Sequence, residues 1–128
     1  MCSQHYMEST LTIDKLGNKT WLNSKGQYHN ENGPAFESAN GYKEYWINGQ
    51  WHRLDGPAII FTDESKWWYV NGQLHREDGP AIIRDNGSVE YWLNGVEQDP
   101  SVEKPSVIET ITTSLLVPLK TKRLIELD

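Results

Sequence analysis

Apolar and polar positions along this chain repeat with a 23-residue period, and within each period they alternate as strands do. Glu44-Tyr45-Trp46-Ile47 runs into Asn48-Gly49, and the same order returns at Trp68-Tyr69-Val70-Asn71-Gly72 and at Tyr91-Trp92-Leu93-Asn94-Gly95. Aromatic and branched residues favour strands, and Asn-Gly favours a tight turn because both residues accept positive φ. A second apolar run follows each time, Ala58-Ile59-Ile60-Phe61 and then Ala81-Ile82-Ile83, after Gly56-Pro57 and Gly79-Pro80. The proline fixes its own φ and pushes the preceding glycine out of the helical region, so the chain is re-aimed there. Polar turns, Thr62-Asp63-Glu64-Ser65 and Asp85-Asn86-Gly87-Ser88, close the second run. The pattern predicts an all-β fold of tandem β-hairpins forming an elongated antiparallel sheet. It gives two strands per repeat, joined alternately by a tight turn and a longer loop.

The ends are less regular. Residues 1–16 form an N-terminal segment with a first strand at Leu11-Thr12-Ile13, and the repeats occupy 17–98. The first unit opens at Trp21 and is degenerate, with Ser24 in place of glycine. Trp21 to His29 is eight steps and Trp46 to His52 is six, so two extra residues are expected there. An irregular terminal unit fits a repeat with no neighbour on one side. Residues 99–128 form a C-terminal cap. Ser106-Val107-Ile108-Glu109 has the form of a capping box, and Ile108, Ile111, Leu115 and Leu116 share one helical stripe before Pro118. A helix there would cover an open face or edge of the sheet. Leu119 to Leu127 fits either a strand or a helix.

Strand alternation sorts the aromatic residues. Tyr45, Trp68 and Tyr91 fall on one face with Ile47, Val70 and Leu93, which reads as core. Trp46, Tyr69 and Trp92 fall on the other, beside Glu44 and Glu90. That second row is either packed by loops or presented to a partner as a line of rings.

Composition narrows the functions. Eighteen acidic against twelve basic residues give a net charge of −6, which disfavours general binding to nucleic-acid phosphates. Cys2 is the sole cysteine, so neither an internal disulfide nor a cysteine zinc site is expected. No basic-then-apolar leader and no apolar run of roughly 20 residues appears, which points to a soluble, cytoplasmic protein.

His29, His52 and His75 recur at the repeat interval. Equivalent residues two strands apart lie about 10 Å from one another, at ~4.8 Å per strand. One zinc needs its nitrogens about 2 Å away, so a collinear row cannot enclose it. No metal or cofactor is expected, and each imidazole is expected to bond within its own loop. Arg53 with Asp55, and Arg76 with Asp78, read as local pairs bracing a turn. His52-Arg53-Leu54-Asp55 looks like a kinase catalytic triplet, but it recurs at His75 and no partner motif accompanies it. A repeated site is also poorly suited to catalysis, which needs unlike groups converging on one point. No enzyme activity is expected.

The period and landmark order resemble the MORN repeat family, through Trp46, Asn48, Gly49, His52, Gly56 and Ala58 and the partial unit Trp92-Asn94-Gly95. Two departures stand out: Arg53 and Arg76 follow the histidines where the family has glycine, and the D-G-P-A block is foreign to it. The resemblance implies a non-catalytic module for protein–protein interaction. On this reading Trp46, Tyr69 and Trp92 face a partner from the sheet, and His52, Arg53, His75 and Arg76 from the loops. Size and charge suit an adaptor or inhibitor, such as a virus or phage encodes. Lys66-Trp67-Trp68-Tyr69-Val70-Asn71-Gly72 also looks like a choline-binding repeat, which makes a carbohydrate-binding module the alternative. Lipid binding ranks lower because of the negative charge. Exposed sheet edges could also pair two copies.

Overall fold

The computed structural model describes residues 8–99, all of them in strands, turns and loops, with no helix among the described residues. The strands are β1 (Thr10–Ile13), β2 (Lys19–Leu22), β3 (Phe36–Glu37), β4 (Lys43–Glu44), β5 (Trp46–Ile47), β6 (Gln50–Trp51) and β7 (Ile59–Ile60). They continue as β8 (Lys66–Trp67), β9 (Tyr69–Val70), β10 (Gln73–Leu74), β11 (Ile82–Ile83), β12 (Val89–Leu93) and β13 (Val96–Gln98). Nine of them pair in the order β1-β2-β3-β4-β7-β8-β11-β12-β13, while β5–β6 and β9–β10 form separate hairpins. Every pairing is antiparallel. The expected all-β hairpin architecture is therefore present. The expected C-terminal helix lies outside the described residues.

Each repeat holds more than the two strands its sequence predicts. The aromatic run is one strand that changes partners midway. Its first half pairs in the long sheet, as β4 does with β7, and its second half turns back as a hairpin, as β5 does with β6. The changeover falls at Tyr45 and Trp68, whose amides donate to the carbonyls of Ala58 and Ala81 at 2.7 Å. In the terminal copy β12 runs through unbroken, pairing with β11 at Val89–Glu90 and with β13 at Tyr91–Leu93. Ala35, Ala58 and Ala81 are fully buried at these crossings. Gln50-Trp51, outside the two strands that the pattern predicts for each repeat, is the return arm of a hairpin.

Two turn types alternate. Asn48-Gly49, Asn71-Gly72 and Asn94-Gly95 all have positive φ, between 49° and 82°, as a two-residue hairpin of type I′ requires. The turns of the long sheet place a positive φ at Gly17, Gly41, Glu64 and Gly87. Three of these four positions are glycine; Glu64 bears the strain at φ 75°.

The first unit aligns differently from its sequence reading. The His29 amide donates to Trp21 O, as His52 does to Tyr45 O and His75 to Trp68 O. Trp21 therefore corresponds to Tyr45, and the unit carries one extra residue instead of two. That residue widens the hairpin turn to Asn23–Gln27, where Asn23 Oδ1 accepts from the Lys25 and Gln27 amides.

Register settles which face is inside. Glu44, Ile59, Trp67, Ile82 and Glu90 lie in one cross-strand row, and Lys43, Ile60, Lys66, Ile83 and Val89 in the next. Ile59 and Ile82 are buried, so the first row faces inward. Ring contacts run along that side from Phe36 to Tyr42, Phe61 and Trp67, with centroids 5.3–6.2 Å apart. A parallel line joins Tyr28, Trp46, Trp51 and Tyr69 at 4.9–5.1 Å. Such pairs contribute about 0.5–1.5 kcal/mol each beyond area burial.

Candidate functional site

The repeated loop after each hairpin is built from the residues that sequence reading singled out. The Arg53 guanidinium lies 4.0 Å over the Tyr45 ring. Its Nε donates to Asp55 at 3.0 Å and its Nη1 to the Pro57 carbonyl at 3.1 Å. Gly56 passes so close that a Cβ there would stand 2.8 Å from Arg53 Cζ. Arg76 repeats the whole arrangement, over Trp68 at 4.0 Å, to Asp78 at 2.9 Å and to Pro80 O at 3.1 Å. In the first unit Asn30 takes the arginine's place and donates to Pro34 O at 3.0 Å. The D-G-P-A block is thus an arginine clamp: the aspartate and proline carbonyl hold the guanidinium, the glycine makes room, and the alanine enters the core.

The expectation that each imidazole bonds within its own loop covers only the Nε2 side, where His75 meets Glu77. Through Nδ1 each reaches the next repeat. The Asn48 amide donates to His29 Nδ1 at 2.9 Å, Asn71 to His52 Nδ1 at 3.0 Å, and Asn94 to His75 Nδ1 at 2.9 Å. An Nδ1 that accepts leaves the ring proton on Nε2, which fixes the tautomer. Nε2 of His29 lies 3.3 Å from Glu31, and that of His75 lies 3.2 Å from Glu77. In the middle loop the corresponding residue is Leu54. Backbone bonds reinforce each joint: the Asn30, Arg53 and Arg76 amides donate to Trp46, Tyr69 and Trp92 carbonyls one repeat on.

Of the two expectations for the row of Trp46 and Tyr69, packing is the one present, while Tyr45 of the other row also packs against the core of Ala58, Ile59 and Tyr69. Trp46 and Tyr69 point inward and pack on Trp51. Trp46 and Trp92 donate their indole N–H groups to Glu44 and Glu90 at 2.8 and 2.9 Å. Trp92 and Arg84 together hold the Glu90 carboxyl below its ordinary range. Burial, and then Glu44, push the Tyr42 hydroxyl up, and burial does the same for Tyr69. The face with Tyr45 and Trp68, expected to be core, carries the arginine clamps. The alternation fixed which residues share a face, but not which face was covered.

Between consecutive loops the outer face forms shallow grooves. One of 860 Å³ is floored by Trp68 and Val70 and walled by the loops of Arg53 and Arg76. Another of 390 Å³ is floored by Tyr45 and Ile47 and walled by the loops of Asn30 and Arg53. Leu54 borders both grooves and is 80% exposed. Glu31 and Glu77 occupy its position in the flanking loops. Sequence reading passed over Leu54; its signal was the one apolar residue in an otherwise acidic repeat position. Of the expected partner-binding residues, His52, Arg53, His75 and Arg76 come together at this surface as the frame of the loops. Trp46 and Tyr69 do not reach it.

Among the described residues no group of three histidine, cysteine or acidic side chains is placed to hold a metal ion, and no helix is long and apolar enough to cross a membrane. No protein-family model, curated protein or solved structure matches the chain.

Proposed function

We propose that this chain is a non-catalytic module that binds a protein partner through the row of H-R-x-D-G-P loops, with Leu54 at its centre. The observation that carries this reading is the contrast between used and unused side chains. Histidine, arginine, aspartate, glycine, proline and alanine of the two later loops are spent on internal contacts, as are His29 and Asn30 of the first. Leu54 is the exception, a large exposed apolar side chain bordering two grooves that Glu31, Asp55, Glu77 and Asp78 also line. An apolar centre with a polar rim is the usual anatomy of a protein-binding patch. The acidic rim and the net charge of −6 favour a partner segment with basic residues flanking an apolar one.

The carbohydrate alternative draws less support, because its ring ladder is internal. Trp46 and Tyr69 pack in the core row, and guanidinium groups cover Tyr45 and Trp68. The test is affinity capture from cells that encode the chain, comparing wild type with Leu54→Glu. That substitution places at an exposed position the acidic residue of the neighbouring loops, so the variant is expected to fold as wild type does. A stoichiometric protein partner bound by wild type and lost from Leu54→Glu supports the reading. A partner retained by the variant places the surface elsewhere, and capture of no protein rejects the reading.

A further inference from the structure

The first strand of the sheet pairs on one side only among the described residues. Its register with β2 places Thr10 opposite Leu22, Thr12 opposite Thr20, and Leu11 and Ile13 opposite Trp21 and Lys19. The Asp14 amide donates to Asn18 O, which makes that a hydrogen-bonded pair. By the two-residue alternation of antiparallel ladders, Thr12 and Thr10 also bond to β2. The N–H and C=O groups of Leu11 and Ile13 then point to the open edge. Their side chains are also exposed, 39% and 56%.

Edge strands are commonly protected by proline, charge, a bulge or a cover. Thr10-Leu11-Thr12-Ile13 contains neither proline nor charge, and its register is unbroken. We infer that a second copy of this chain adds to the β1 edge, antiparallel about a two-fold axis through Thr12. The self-complementarity of the strand identifies the occupant. About that axis Leu11 meets Ile13 of the second copy, and Ile13 meets its Leu11. Both are hydrogen-bonded pairs, so four N–H···O bonds form and each leucine packs on an isoleucine. Charges also agree with this register: Asp14 falls opposite Thr10, and Lys15 opposite Ser9, so no like charges meet. At the far end of the sheet Glu97 stands opposite Trp92 in β13, at the position directed outward. A carboxylate there guards that edge, so pairing closes at two copies instead of running on as a fibre.

Sedimentation of the full chain over a range of concentrations tests this. The interface is small, so a concentration-dependent monomer–dimer equilibrium is expected. Ile13→Pro removes one outward N–H and leaves the β1–β2 ladder intact. It should weaken the dimer at least roughly tenfold without changing the circular dichroism or the melting temperature. Independently, Thr12→Cys in a Cys2→Ser background should cross-link under mild oxidation. The axis brings the two Cα atoms to about 4.5 Å, within disulfide reach; Lys15→Cys should not cross-link. A chain that stays monomeric overturns the inference, as does a dimer indifferent to Ile13→Pro with no preference for a cross-link at position 12. Open-ended oligomers would mean β1–β13 pairing and would equally overturn it.

Discussion

Single residues bear distinct kinds of stress in this fold. Glu64 occupies a left-handed position at φ 75°, where the equivalent turns have Gly17, Gly41 and Gly87. A side chain in that region costs about 1–2 kcal/mol. Glu64→Gly is expected to recover about 1 kcal/mol after the added backbone entropy of glycine, measured as a higher urea midpoint with an unchanged slope. Gly56 has the opposite constraint, because its missing Cβ makes room for Arg53. Gly56→Ala should cost about 1–3 kcal/mol by overpacking, and most of that cost should vanish in an Arg53→Ala background. A double-mutant cycle with no coupling would deny the clamp.

The Glu90 carboxyl is held low by the Trp92 indole and Arg84. A carboxyl depressed in the folded state stabilises above its unfolded value and loses that contribution as pH falls through the folded one. Wild type should therefore lose stability below about pH 4.5, and Glu90→Gln should flatten that acid limb. Melting temperatures between pH 3 and 6 would show it. Asp14 and Asp63, held low by turn amides of Asn18 and Ser65, should leave part of the acid limb in the variant.

At the scale of elements, the joint between repeats is a histidine that accepts the first amide of the next Asn-Gly turn. The I′ turn leaves that amide without a ladder partner, and a hydrogen bond to it contributes about 0.5–1.5 kcal/mol net, more where its acceptor is buried. His29 is 1% exposed and His75 is 16%, so the two should differ in cost. His29→Ala opens a cavity as well and should destabilise by about 2–4 kcal/mol. His75→Ala should lose about 1 kcal/mol. Equal costs would place the stabilisation elsewhere than in burial.

The same joints explain what could be read from the sequence. Period, turn chemistry and strand alternation are local properties, so Asn48-Gly49, Gly56-Pro57 and the aromatic runs were legible. The partner change at Tyr45 and Trp68 was not, because it depends on Ala58 and Ala81 arriving from the following strand. The arginine–aspartate pairs were visible at two residues' separation. The bond from His52 to Asn71 spans nineteen residues and crosses a repeat boundary, where pattern carries no signal. The row of Trp46 and Trp92 stayed open between packing and presentation because Glu44 and Glu90 look like surface residues until the indoles supply their donors.

Across the whole molecule, the consensus residues form a scaffold in which each repeat locks the next, and in the proposed function the differences between repeats, Leu54 first, carry recognition. Nine strands at roughly 4.8 Å span about 40 Å, with the loops in a row along one side. Two copies joined at β1 would double that row. Three imidazoles that accept backbone amides across repeat boundaries hold this scaffold together. The most direct measurement is a through-hydrogen-bond nitrogen–nitrogen correlation by NMR on uniformly labelled protein. Cross-peaks linking the amides of Asn48, Asn71 and Asn94 to Nδ1 of His29, His52 and His75, with each ring proton on Nε2, are the predicted result. Rings protonated on Nδ1, or amides with no imidazole coupling, would rule out these joints.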